Sequence, residues 1–280
     1  MSIKRPNLMV QVENHRLVTV IIPTHNYGRY LPEAIESVLK QTYPNIELIV
    51  VDDGSTDNTR EIVLKYPSVK YVYQEHKGNL TPARAMNLGF SLSHGDYICG
   101  IGGDDKLLPT YIEKCVSKIE KDKRIGFVWT GKQEFGESTQ TYMPKKLRYH
   151  SSILGGAGGA LGGMLMRREA RAGTSDDENL HGREDWDLAI RLIDKGWKWR
   201  TINEALYCAR MHKENLTIRV HQKAYLHELE ARYPLMRLYL TSSWFFRNFV
   251  LCMKNPEQFL HKLWNKRLSR YFRLRQLPQM

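Results

Sequence analysis

The chain has 280 residues, 42% hydrophobic and 26% charged, which suits one large domain, or one domain plus an appendage, around a sizeable core. No segment is low in complexity, no run of about 18 apolar residues occurs, and the N-terminus lacks an apolar stretch of leader length. A disordered chain, a spanning helix and a secretory leader are therefore not expected. The net charge of +12 asks for an anionic partner, and it is uneven: residues 221–280 hold eleven Lys or Arg against three Asp or Glu.

In chain order, "LVTVII" (17–22) is a β-branched run suited to a strand covered on both faces. "YLPEAIESVLKQT" follows with Leu31, Ile35, Val38 and Leu39 at helical spacing and Pro32 in the first turn. "IELIVVDDGSTDNT" predicts a second buried strand and a turn, then a helix capped by Asp57 or Asn58 with Ile62, Val63 and Tyr66 as its apolar stripe. "VKYVY" (69–73) is a third strand. Thr81-Pro82 opens a helix that runs to about Ser93. "DYICGI" is a fourth strand, Pro109 opens another helix, and "IGFVWT" (125–130) is a fifth strand.

Strict alternation of strand and helix predicts an α/β fold with a mostly parallel sheet and helices on both faces. Such sheets bind ligands outside the carboxyl ends of their strands. Three of those ends carry polar clusters: "PTHN", "DDGSTD" and "GGDD". Asp104 and Asp105 stand together at one of them, and adjacent carboxylates call for something positive, such as a divalent cation with a polyphosphate.

Further on, "ILGGAGGALGGMLMRRE" (153–169) is glycine-rich but lacks the strand–GxGxxG–helix context of a dinucleotide site, and no GxxxxGK[ST] occurs. "REDWDLAIRLIDKGWKW" (183–199) is an acidic turn leading into an amphipathic helix closed by Gly196, and "EALYCARMH" (204–212) is a strand ending in Arg210 and His212. Cys99, Cys115, Cys208 and Cys252 form no CxxC pair, which predicts buried reduced thiols in a cytoplasmic protein. In "FLHKLWNKRLSRYFRLR" (259–275), Leu260, Trp264, Leu268 and Tyr271 share one helical face and Lys262, Lys266, Arg270 and Arg273 another. That pattern suits either a helix on an anionic membrane surface or an appendage packed on the catalytic domain. The basic residues match no nucleic-acid module, so no nucleic acid is expected as partner.

The opening segment through "VVDDGSTDNT", then "GNLTPARAMNLGFSLSHGDYICGIGGDD", "REDWDLAIRL" and "YCARMH", together resemble the family 2 glycosyltransferases over about residues 17–215. The resemblance implies a GT-A-like fold and inverting transfer of a sugar from a nucleotide diphosphate, aided by Mn²⁺ or Mg²⁺, to a glycan or lipid-linked acceptor. With the charge of 221–280 it divides the chain into a catalytic domain (1–220; nucleotide-sugar half about 17–130, acceptor half about 131–220) and a basic amphipathic helical segment (221–280), the enzyme being expected to be cytoplasmic or peripheral on the membrane's inner face. By family position, Asp104 is the last Asp of the metal-binding DxD motif and Asp105 supports it or faces the acceptor. The first Asp of that motif is Gly102 here. Asp53 matches the acid that contacts a uracil ring, so the nucleotide implied is UDP. Thr24 and Asn26 lie in the loop that wraps the nucleoside, and Arg84 reaches towards base or pyrophosphate. Asp185 is the implied catalytic base, and Arg210 and His212 form the final Arg-x-His, His212 as a further metal ligand or pyrophosphate donor. The rivals are a sugar-nucleotidyltransferase, for which "PTHNYGRY" is a poor glycine-rich loop, and a non-catalytic nucleotide-sugar binder, suggested by Gly102.

Overall fold

A computed structural model describes residues 15–78, 81–144, 163–180 and 184–215. The segment expected at 221–280, the boundary before it, and most of the glycine-rich stretch 153–169 lie outside the described residues.

The first half is built as the alternation predicts. Strands β1 (Val18–Thr24), β2 (Ile46–Asp53), β3 (Val69–Gln74) and β4 (Tyr97–Gly100) pair in parallel in the order β3-β2-β1-β4. In β1 the side chains alternate between layers. Val18, Val20 and Ile22 belong to the core that also holds Leu31, Ala34, Ile35 and Val38 of α1 (Leu31–Leu39). Ile21 points to the opposite core, with Ala85 of α3 (Ala83–Ser91). Burying each such aliphatic side chain contributes about 1.5–3 kcal/mol, which fixes strand register because a slip of one residue exchanges the two layers. The α1 residues recur at i, i+3, i+4 and i+7, as an apolar stripe on one helix face must.

Helix α2 (Thr59–Val63) is shorter than expected, and Tyr66 packs beside the core from the loop after it. Helix α3 begins one residue after the proline; Thr81 Oγ1 still accepts from Ala83 N at 3.3 Å. Between β4 and α4 (Tyr111–Ile119) the chain inserts a two-residue strand, β5 (Lys106–Leu107), so Pro109 lies in the link before the helix.

Beyond β4 the sheet becomes mixed. β6 (Ile125–Gly136) and β9 (Lys198–Met211) are long parallel partners, β7 (Thr141–Tyr142) folds back on β6, and β8 (Leu165–Arg167) lies antiparallel between β4 and β6. The full order is β3-β2-β1-β4-β8-β6-β9-β5, with β5 antiparallel to β9. Short α5 (Arg168–Arg171) and amphipathic α6 (Glu184–Asp194) complete the helices described, and Gly196 ends α6 with φ +89°. Trp186, Leu188, Ala189 and Leu192 of α6 join the same core as α3. Cys99, Cys115 and Cys208 are buried and unpaired, as predicted. Among the described residues no helix is long and apolar enough to cross a membrane.

Candidate active site

The topology sets β2, β1 and β4 side by side, so their three polar carboxyl ends meet at one edge. The two adjacent acids ending β2 have opposite roles, because successive strand residues face opposite sides. Asp52 is buried; Tyr71 Oη donates to its Oδ2 at 2.7 Å and Ser55 N to its Oδ1 at 2.8 Å. It fastens the turn. Asp53 faces the edge, where Gln74 Nε2 donates to Oδ1 at 2.5 Å and His76 Nδ1 bonds Oδ2 at 2.6 Å. Arg84 stands 3.6 Å from Oδ1 and donates to Glu75 O at 2.7 Å.

Asn26 has a left-handed backbone, φ +57°. Its Oδ1 accepts from Thr56 N at 2.8 Å and Asp57 N at 3.3 Å, and Ser55 Oγ accepts from its backbone N–H. It thus clamps the loop after β1 to the loop after β2. The orientation of the Asn26 amide leaves Nδ2 to donate to His25 Nε2 at 3.2 Å, so His25 carries its proton on Nδ1 and donates it to Asp53 O at 2.7 Å. The His25 and His76 rings stack with centroids 4.4 Å apart.

The loop after β4 forms the second cluster, held by the end of β9. Asp104 Oδ2 lies 3.1 Å from both His212 Nε2 and Asn215 Nδ2, and Arg210 Nε donates to Asp104 O at 2.9 Å. Glu214 N donates to His212 Nδ1 at 3.2 Å, which puts the ring proton on Nε2, facing Asp104. Tyr207 Oη donates to Asp105 Oδ2 at 2.5 Å and Arg210 N to Asp105 Oδ1 at 2.8 Å, so these donors enclose the Asp105 carboxylate although part of the residue stays accessible. Burial raises both carboxyls above the ordinary range, and the Asp104 charge raises Asp105 further. Burial lowers the His212 pKa, with Arg29 adding to it. The Arg210 guanidinium sits between the Tyr30 ring (4.6 Å) and the Phe135 ring (4.4 Å) and donates to Glu33 Oε1 at 2.7 Å.

The donor set of the second cluster fits a hard divalent cation. Octahedral ligation with bonds of about 2.1 Å sets neighbouring ligand atoms about 3 Å apart. Asp104 Oδ2 and His212 Nε2 already stand 3.1 Å apart. Ligation would move the His212 proton to Nδ1 and give up the Glu214 contact. Gly102 leaves no first acid for the set, and the Asp105 oxygens are engaged elsewhere.

Thr24 lies between the two clusters. It is opposite Asp52 in register, and a Cβ on Gly103 would meet its hydroxyl at 2.9 Å. That hydroxyl is buried and has no hydrogen-bond partner among the described residues. Asp185 stands in the first turn of α6, Oδ1 accepting from Trp186 N at 2.8 Å. Beside it, Glu184 Oε2 is enclosed and without a partner among the described residues. Burial, with the Asp185 charge adding, pushes the Glu184 carboxyl up to about 8.

The structure therefore gathers Asp53, Asn26 and Arg84 in one cluster and Asp104, Asp105, Arg210 and His212 in another, with Thr24 between and Asp185 on a separate helix. Sequence reading missed His25, Gln74, His76 and Tyr207. The first three follow or end a parallel strand at the ligand edge, which is a usable signal; Tyr207 reaches its partner 102 residues away and carries none.

A parallel α/β half extended by a mixed half, with acids at the strand ends, is the GT-A-like architecture. Residues 19–172 match the family described as Glycosyl transferase family 2. The chain is 33% identical to the putative glycosyltransferase EpsE of Bacillus subtilis (strain 168), over 69% of this chain and 72% of that protein. It is 43% identical to the glycosyltransferase GlyG of Streptococcus pneumoniae serotype 4, over 39% of this chain and only 37% of GlyG. Among solved structures, S. aureus TarS 1-349 in complex with UDP-GlcNAc aligns with a TM-score of 0.62 at 20% identity, covering 73% of this chain and 61% of that one. The mannosyltransferase PcManGT of Pyrobaculum calidifontis, in complex with GDP-Man and Mn²⁺, aligns with a TM-score of 0.56 at 19% identity, covering 88% and 83%. The chain belongs to glycosyl transferase family 2.

Proposed function

We propose that this chain transfers a sugar, with inversion, from a nucleotide diphosphate, by preference a UDP-sugar, to a hydroxyl of a glycan or lipid-linked acceptor in polysaccharide synthesis. The observation that carries the reading is the meeting, at the ends of the two strands that flank β1, of an Asp53 corner rich in hydrogen-bond groups and an Asp104–His212 pair spaced for a cation. Family membership supports the reaction class. The UDP-GlcNAc bound to TarS and the Mn²⁺ bound to PcManGT support the donor and the metal.

In this reading Asp53 accepts an N–H from the base, and Arg84, at 3.6 Å, is the nearby donor for a base carbonyl or the pyrophosphate. Asn26 holds the surrounding loops in place. Asp104 and His212 would hold Mn²⁺ or Mg²⁺, which supplies positive charge against the diphosphate leaving group. Asp105 and Arg210 fix the Asp104 loop.

Asp185 takes the proton of the acceptor hydroxyl as that oxygen bonds the anomeric carbon, while the bond to the diphosphate breaks and its electron pair leaves with the nucleotide. Burial raises the Glu184 carboxyl, so it sits in a different environment from the neighbouring Asp185. The basic segment 221–280 supports docking of the enzyme at an anionic membrane surface.

Asp185→Asn tests the assignment of the base. Calorimetry should find UDP affinity within about twofold of wild type while turnover falls about 10²- to 10⁴-fold, the usual worth of a positioned base. An equal fall in UDP affinity and turnover would make Asp185 a donor ligand instead.

A further inference from the structure

We propose that His25, Asp53 and His76 form a second metal site, one for a borderline transition ion such as Zn²⁺, and that an ion there excludes the nucleotide. One ring nitrogen of each histidine and one Asp53 oxygen lie within 4.8 Å of one another. A tetrahedral zinc site with bonds of about 2.1 Å needs ligand atoms about 3.4 Å apart, so closing the set takes shifts of about an ångström. His25 would make that shift by giving up its present bonds to Asp53 O and Asn26 Nδ2.

The rest of the corner is already built. His76 Nδ1 is 2.6 Å from Asp53 Oδ2, and His25 Nδ1 bonds the backbone carbonyl of the same residue, so both rings converge on Asp53. The stack of the two rings holds them side by side. His76 can come in this close because residue 54 is glycine. A Cβ there would stand 2.7 Å from His76 N and 2.8 Å from His76 Cβ, and the backbone φ is +74°.

Two imidazoles and one carboxylate are a nitrogen-rich set, which suits Zn²⁺, Co²⁺, Ni²⁺ or Cu²⁺ better than the oxygen-seeking Mg²⁺ or Mn²⁺. Three protein ligands leave one position open to water. On binding, each neutral ring keeps a single proton on the nitrogen that does not ligate. The ion would then occupy the Asp53 oxygens that a base N–H needs. Exclusion of the nucleotide rests on the donor reading given above, whereas the metal site itself does not.

The test is calorimetry of the full chain with ZnCl₂ in the absence of nucleotide, with Co²⁺ absorption in the visible as a ligand-field readout. His25→Asn and His76→Asn keep a polar side chain in each place. Each should weaken Zn²⁺ binding by at least about 10- to 100-fold, since loss of a mere outer-shell partner costs that much. Asp104→Asn should change it less than about twofold. Wild-type Zn²⁺ affinity in both histidine variants, or loss in Asp104→Asn with retention in the histidine variants, overturns the site. Saturating Zn²⁺ should abolish UDP binding to wild type. If Zn²⁺ binds as described and UDP is indifferent to it, the exclusion is overturned. UDP affinity in Asp53→Asn, measured without zinc, separates that result from failure of the donor reading: unchanged affinity there means that the donor reading itself has failed.

Discussion

At Gly102 the missing side chain is a steric requirement. A Cβ would stand 2.8 Å from Asp104 Oδ1 and 2.9 Å from Asp105 Oδ2. Those carboxylates are not loose ends: Asp105 is held by Tyr207 and Arg210 N, and Asp104 by His212 and Asn215. In sequence, Gly102 reads as a lost metal ligand; in the structure the two following acids crowd its place. Gly102→Ala should therefore cost about 1–3 kcal/mol of stability, the usual penalty for overpacking, and weaken Mn²⁺-dependent UDP binding as the carboxylates turn aside. Urea unfolding and calorimetry check it, and an unchanged midpoint with unchanged UDP affinity would contradict it. Asp52 and Asp53 teach the same lesson. Identical neighbours in sequence, they become a buried turn fastener and an edge group because a strand turns them opposite ways.

Among the elements, the end of β9 does most to shape the site. Tyr207, Arg210 and His212 recur at odd and even positions, yet all reach the loop after β4, through side chain or backbone. Tyr207→Phe removes a donor from the buried Asp105 carboxylate and should destabilise the protein by about 1–3 kcal/mol, the cost of leaving a buried acceptor short of a partner. The readout is the shift of the unfolding midpoint; no shift would mean that the Asp105 carboxylate finds another donor. Strands β1 and β2, and β6 over 125–130, are legible because continuous apolar runs announce them; the polar continuation of β6 to Gly136 is not. The two- and three-residue strands β5, β7 and β8 are not, since pairing with distant partners alone makes them strands. Likewise Pro109 reads as a helix start, but β5 takes the preceding residues and α4 begins at Tyr111.

For the whole molecule, the parallel half followed from alternation, and so did the edge where the site lies. The site's candidate acids were readable because they end buried strands; their partners, contributed by β9 and the loop after β3, depended on the tertiary fold. Charge is also a property of this scale. Residues 221–280 carry most of the net positive charge together with Trp244, Phe245, Phe246, Trp264 and Phe272. With each basic residue near an anionic surface contributing roughly 1 kcal/mol, the 280-residue chain should co-sediment with anionic vesicles, less so in high salt. A chain truncated before Phe259 should lose much of this. Equal sedimentation of the two would rule the tail out as an anchor.

The proposed function has Asp104, beside His212, hold the cation that meets the donor diphosphate. The direct measurement is calorimetry of UDP binding with and without Mn²⁺, in wild type and in Asp104→Asn. Wild type should bind UDP at least about tenfold more tightly with Mn²⁺, and Asp104→Asn should keep its fold yet lose that difference, since removing a ligand costs at least what an outer-shell change does. A full Mn²⁺ effect retained in Asp104→Asn would mean that Asp104 does not hold the cation.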